Sequence, residues 1–303
     1  NGNEDEDDMT VSNRVIKCVN EDGVEIVIAE AGFTPFLLTD ASGLYDVENT
    51  VYVSENSMID GAVYQGSVTK FRNIVLTVTD TEDYPENRDL LDMVFKKASI
   101  GTLTFWEGSR APRKIEYVVE NMSSTGEDSH REHEISLICP DPHFYDVNST
   151  TENMASWVSG FEFEFESDST GFEFGYKSNE RIKTIRNDIA EDGIGIVITI
   201  TCGGAVTNPS ITHIETGDRI TIGHSGKPFS IGIGDIVTIT TATGNKHVTL
   251  TRNGVTSEIN HYLTEDSVFI QLMRGTNSFG FDADSGLDNM SIEITYTFKY
   301  ARA

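Results

Sequence analysis

Val11–Ile28 reads VSNRVIKCVNEDGVEIVI, and the fold class follows from it. Two runs of alternating character flank Asp22-Gly23. Alternation with a period of two is the mark of a strand with one buried face. Asp-Gly is a hairpin signal, because a type I′ turn needs residues that tolerate positive φ. The reading predicts two antiparallel strands joined by a tight turn.

The same pattern recurs outward from this hairpin. Asn49–Val53 and Asp60–Tyr64 are short strand-like runs. In Arg72–Thr79, RNIVLTVT, Ile74, Leu76 and Val78 share one face, while Val75, Thr77 and Thr79 share the other. Thr102–Trp106, Arg113–Glu120 and Glu132–Cys139 are also strand-like, with a polar loop, NMSSTGEDSHR, between the last two. One helix interrupts them. In PENRDLLDMVFKKA, residues 85–98, Leu90, Leu91, Val94 and Phe95 form an apolar stripe. Acidic residues lead it and Lys96 and Lys97 close it, which suits the helix dipole. Two prolines in CPDPHFYD, residues 139–146, end the last strand of this half.

The second half holds short β runs at Arg181–Ile185, Ile194–Cys202, Arg219–Ile222, Ile236–Thr241, His247–Thr251, Val268–Leu272 and Ser291–Phe298. Gly244-Asn245, Asn253-Gly254 and Ser285-Gly286 separate some of them as turns. Such spacing without a long helix predicts a sandwich or jelly roll.

The chain has 303 residues, enough for two domains. Asp and Glu number 49 against 22 Lys and Arg, a formal charge of −27. Phosphate binding depends on cations releasing counterions, so nucleic acid and anionic membrane are poor partners for it. No apolar run approaches the roughly 20 residues of a membrane helix. Cys18, Cys139 and Cys202 each sit in an apolar run with no metal-ligand spacing, so they read as buried hydrophobes of a reducing compartment. Residues 1–8, NGNEDEDD, read as an acidic tail or tag remnant.

Several motifs invite chemistry. Phe161–Tyr176, FEFEFESDSTGFEFGY, stacks carboxylates. Glu162 and Glu164 would lie about 7 Å apart on one strand face, near the carboxylate spacing of glycosidases. A hydrolase using Glu162, Glu164 or Glu173 is therefore a rival reading. But identical Phe neighbours give these carboxyls near-identical settings, whereas an acid–base pair needs settings that differ. The run reads as an amphipathic strand with Phe inward and Glu in water, with Arg181, Lys183 and Arg186 the nearest cations. HREHE at 130–134 lacks the H-E-x-x-H pattern and reads as a solvated loop entering a strand. Asp282, Asp284 and Asp288 in DADSGLDN suggest a calcium loop, but the final bidentate Glu is missing and an ordinary turn uses the same residues. The G-x-G of Gly232–Asp235 lacks its third glycine and reads as a bulge or close-packed strand.

Taken together, MIDGAVYQGSVTKFRNIVLTVT at 58–79, the helix, and ISLICPDPHFYD at 135–146 resemble the N-terminal domain of siphophage distal tail proteins, the Dit-like tail-tip and baseplate hub family. The matching positions are Asp60, Gly61, Arg72, Asn73, Ile74, Cys139, Pro140, Asp141, Pro142, Phe144 and Tyr145. TNPSI at 207–211, GNKHVTLTRNG at 244–254 and DADSGLDNMSIEITYTFKY at 282–300 extend the likeness into the second half. Where that family often places prolines in its domain-joining F-x-F run, this chain has Glu.

The resemblance implies a mainly β protein with one short α-helix and two domains. Residues 9–148 would form a ring-building, β-sandwich-type domain, and 149–303 a galectin-like β-sandwich, with the junction about 147–176. It further implies a structural virion protein of a long non-contractile tail, neither an enzyme nor a cofactor binder. Six copies would form a hub between the tail tube protein and the tail-associated tip protein, assembled in the host cytoplasm. A receptor-binding protein could attach, and DNA would pass through the lumen only as cargo. The rival binding module is a C-terminal domain that holds host cell-wall polysaccharide.

Overall fold

The computed structural model describes residues 13–32, 34–55, 58, 60–80, 85–126, 131–154, 157–159, 175–177, 181–191 and 193–303. The chain forms two compact units, Asn1–Val147 with Lys299–Ala303, and Asn148–Phe298. The second unit is thus inserted into the chain of the first. The last five residues, 299–303, belong to the first unit and not to a second domain spanning 149–303.

The first unit contains β1 (Arg14–Asn20), β2 (Glu25–Ala29), β3 (Phe36–Ser42), β4 (Asn49–Glu55), β5 (Ala62–Thr69), β6 (Arg72–Asp80), α1 (Pro85–Val94), β7 (Ile100–Glu107), β8 (Arg113–Thr125), β9 (Glu132–Cys139) and β10 (Phe144–Asp146). The second holds β11 (Thr150–Met154), β12 (Trp157–Ser159), β13 (Gly175–Lys177), β14 (Ile182–Asn187), β15 (Ile194–Cys202), β16 (Val206–His213), β17 (Arg219–Thr221), β18 (Ser230–Ile231), β19 (Ile236–Ala242), β20 (Asn245–Arg252), β21 (Val255–Glu258), β22 (Gln271–Leu272), β23 (Gly275–Ser285) and β24 (Met290–Tyr296). β25 (Lys299–Tyr300) returns to the first.

The opening hairpin forms as β1 and β2, antiparallel from Val15↔Ala29 to Val19↔Glu25. Its turn is not type I′. Only Gly23 has positive φ, at 78°; Asp22 does not. Asn20 explains the longer turn, since its Oδ1 accepts from the amides of Asp22 and Val24 at 3.0 and 2.9 Å. A true two-residue turn occurs at Asn253-Gly254, where φ is 53° and 77° and Arg252 pairs with Val255.

The first unit is the expected mainly β domain with one short helix, and its main sheet closes on itself as a barrel. The order runs β8-β7-β1-β2-β3-β6-β9, and β9 pairs back onto β8. Strand β8 makes closure possible by its length. Arg113–Val118 pairs with β7, Val118–Thr125 pairs with β9, and the register shifts between Val119 and Asn121. A bulge of this kind bends a strand enough to serve both partners. Alternation fills the interior with Ile16, Cys18, Ile74, Leu76, Val78, Leu103, Ile115, Tyr117, Ile135 and Leu137, all 1% exposed or less.

Helix α1 packs by Leu91 and Val94, followed by buried Phe95, against β1 and β2. It ends at Val94 rather than at 98, so Lys96 and Lys97 lie beyond it. The Ala98 amide bonds to Val119 O of β8 instead of continuing the helix, and Lys96 pairs with Asp22 at 2.7 Å.

The second unit is an antiparallel sandwich. One sheet runs β11-β24-β15-β19-β20-β21 with β22 on β15, and the other runs β14-β23-β16-β17 with β18 on β16. Ile196, Ile198, Val237, Ile239, Val248 and Ile294 are buried from the first sheet, and Ile185, Val206, Ile211, Ile220 and Phe279 from the second. Strands β12 and β13 pair through Val158↔Tyr176. Phe161–Phe174, the bulk of the expected carboxylate strand, lies outside the described residues.

Candidate functional site

Three places in the described residues gather unusual side chains, all in the first unit. The first is built around Arg72, at the start of β6. The residue is 6% exposed and forms no ion pair with a carboxylate among the described residues. Nε donates to Pro142 O at 2.9 Å, Nη1 to the carbonyls of Gly43 and Asp46, and Nη2 to Ala301 O. The charge is thus solvated by main-chain carbonyls, as a planar five-donor fork allows. Burial lowers the Arg72 pKa, opposed by the nearby Cys139 and Asp46.

Arg72 also pairs in register with Cys139 and lies over the Phe144 ring at 5.1 Å. The structure therefore brings together Arg72, Cys139, Pro142 and Phe144 of the motif residues. Cys139 is fully buried, which pushes its thiol up to about 12. Asp141 knots the loop: Oδ1 accepts from the His143 amide at 3.1 Å and from Nδ1 at 2.7 Å, and Oδ2 accepts from Tyr145 OH at 2.6 Å. Burial raises its pKa, but these hydrogen bonds prevail and hold it at about 2. Burial and the Asp141 contact raise Tyr145. Pro140 is exposed, Asn73 faces outward and bonds Ser136, and Ile74 is core.

Asp60 and Gly61 stand apart, just before β5, with Gly61 at φ 92°. They join the second feature, the β4–β5 hairpin, a separate two-stranded sheet. Val51, Tyr52, Val53, Val63, Tyr64 and Val68 are each more than half exposed. Adjacent residues of a strand face opposite ways, so both faces of this ribbon are apolar and open.

The third feature was missed in the sequence. His133 is buried between Ser124 Oγ, 2.8 Å from Nδ1, and Asp80 Oδ2, 3.3 Å from Nε2. The expected solvated loop instead turns His133 into the barrel, where β6, β8 and β9 meet. The signal was parity: His133 shares a face with Ile135, Leu137 and Cys139. Asp80 Oδ1 is buried without a hydrogen bond.

In the second unit the three aspartates suspected of holding calcium go separate ways. Asp284 accepts from Asn208 at 2.7 Å, Asp288 lies 3.8 Å from Arg181, and Asp282 bonds the next amide at 2.9 Å. No group of three His, Cys, Asp or Glu side chains among the described residues is placed to hold a metal. Gly232–Asp235 is a turn rather than a bulge. Asp235 accepts from the Gly232 amide and takes a bidentate grip from Arg252 at 2.9 and 2.6 Å. The cations expected near the phenylalanine run have partners of their own: Lys183 meets Glu152 at 2.9 Å and Arg186 meets Asp188 at 3.0 Å. No helix among the described residues is long and apolar enough to cross a membrane.

Residues 189–300 match the family described as siphovirus-type tail component, C-terminal domain. No curated protein matches the chain in sequence. Among solved structures, the chain is similar to the SPP1 Dit protein, described as a paradigm of the hub adsorption apparatus in phages infecting Gram-positive hosts. The likeness has a TM-score of 0.62 at 12% identity and covers 93% of this chain and 99% of that one. It is also similar to a chain of the phage p2 baseplate in its activated, Sr-bound conformation, with a TM-score of 0.51 at 13% identity, covering 96% of this chain and 99% of that one. The second unit thus matches a siphovirus-type tail component domain, and the chain shares the Dit fold over nearly its whole length.

Proposed function

We propose that six copies of this chain form a ring at the tip of a long non-contractile tail. The ring joins the tail tube protein to the tail-associated tip protein, offers a seat for a receptor-binding protein, and leaves a lumen for DNA. The β4–β5 hairpin carries the reading. An isolated two-stranded ribbon is marginal in water, and this one has apolar side chains on both faces. A neighbouring copy, repeated by rotation, would cover them and close the ring. The charge of −27 per copy supports the cargo role, because an acidic lumen repels phosphate instead of gripping it.

Light scattering over a concentration series, followed by negative-stain imaging, tests this. Rings from the parent chain, lost in a Val51→Glu/Tyr64→Glu variant whose thermal midpoint is unchanged, are the expected result. Rings that survive both substitutions exclude the hairpin as the contact.

A further inference from the structure

The first unit is completed by residues that follow the whole second unit in the chain. β25 adds antiparallel to the edge of β10 through Phe144↔Tyr300 and Tyr145↔Lys299, and β10 in turn borders β8. The segment is held along its length. The Tyr300 ring lies under the Arg113 guanidinium at 3.7 Å, and its hydroxyl reaches Asp146 at 3.4 Å. Arg72 donates to Ala301 O, Arg113 donates to Arg302 O at 2.5 Å, and the Ala303 amide donates to Leu44 O at 3.1 Å. Tyr300 and Ala303 are 9% and 5% exposed.

These contacts have the features of peptide recognition by strand addition. Main-chain hydrogen bonds set the register, one aromatic residue fills a site, and two arginines read carbonyl oxygens rather than side chains. The whole of Asn148–Phe298 separates this strand from its partner, so nothing local delivers it.

We propose that the groove formed by the 43–46 loop, Arg72, Arg113 and Phe144–Asp146 is a peptide-binding site whose occupant is residues 299–303. The tail is a separable strand. Until it arrives, the Nη2 of Arg72 lacks its Ala301 carbonyl, Arg113 lacks that of Arg302, and the β10 edge is open. The first unit is therefore finished only after the second has been made. This inference does not depend on the ring proposed above, because it concerns a single copy.

The test uses the chain lacking 299–303 and a synthetic peptide of residues 297–303. Deletion is expected to lower the thermal midpoint by about 5 °C or more, a shift typical of losing a few contacts from a domain of this size. It should also speed hydrogen exchange at Phe144–Asp146. Added peptide should reverse both effects saturably, and a peptide carrying Tyr300→Ala should not. An unchanged midpoint on deletion overturns the proposal, as does a loss that no peptide concentration reverses. If the truncated chain does not fold, the full chain carrying Tyr300→Ala replaces it. Labelled peptide should bind that chain and be excluded from the parent chain; equal binding to both, or to neither, overturns the proposal.

Discussion

Arg72 and Ala301 are joined by a hydrogen bond although 229 positions separate them in the chain. The same guanidinium holds Gly43, Asp46 and Pro142, so one side chain ties a loop, a motif and the returning tail. Its partners are all carbonyls, and the fork geometry rather than charge pairing makes the site.

That geometry predicts unequal substitutions. Arg72→Lys keeps the charge but cannot reach separated carbonyls in one plane, so it should cost roughly 2–4 kcal/mol, comparable to Arg72→Met. Denaturant unfolding measures both. A lysine variant as stable as the parent chain would show that charge, not the fork, is what matters.

The loop that Arg72 grips admits little change. Gly43 has φ 80°, and a Cβ there would overlap the Asn73 carbonyl oxygen. Gly43→Ala should destabilise by about 1–3 kcal/mol, the range for a strained backbone position. It should also speed hydrogen exchange in the 43–46 loop. An unaltered midpoint would mean the loop has room to shift.

Asp141 sets an acid limit. Burial opposes its charge, but bonds from His143 and Tyr145 outweigh that and hold its pKa at about 2, below the ordinary 3.8. The folded state thus favours the carboxylate. Its contribution is complete above about pH 4 and is lost as pH falls toward about 2. Asp141→Asn should lower the midpoint at pH 7, and the gap to the parent chain should narrow between those values. Parallel midpoint curves would contradict the assignment.

The buried Ser124–His133–Asp80 chain predicts non-additivity. His133→Leu strands a buried carboxylate and should cost about 3 kcal/mol or more. Adding Asp80→Asn should recover part of that loss, because the amide carries no charge. A double-mutant cycle measures the coupling; strict additivity would mean that Asp80 and His133 do not act as a pair.

Much of the secondary structure was legible. Alternation placed Ile74, Leu76 and Val78 inward, and all three are fully buried. The helix was legible in type but not in length, because Ala98 spends its amide on Val119 of another strand. The opening hairpin was legible while its turn was not, because the Asn20 side chain selected a longer loop. His133 carried a readable parity signal that its charge-rich neighbours masked. Lys299-Tyr300 carried none: a two-residue strand has no period, and the residues that precede it belong to the other unit.

By itself the sequence determined what each segment is. Period-two alternation decides strand and buried face because it is a property of adjacent residues, and rare residues in order decide the family likeness. Tertiary structure alone decided which segments meet. The pairing of β1 with β7 and of β6 with β9 in the barrel, the carbonyl cage of Arg72 and the capture of residues 299–303 all join positions far apart in the chain. Pairing of that kind is chosen by edges, carbonyls and cavities that exist only once the rest of the unit has folded, so no local pattern announces it.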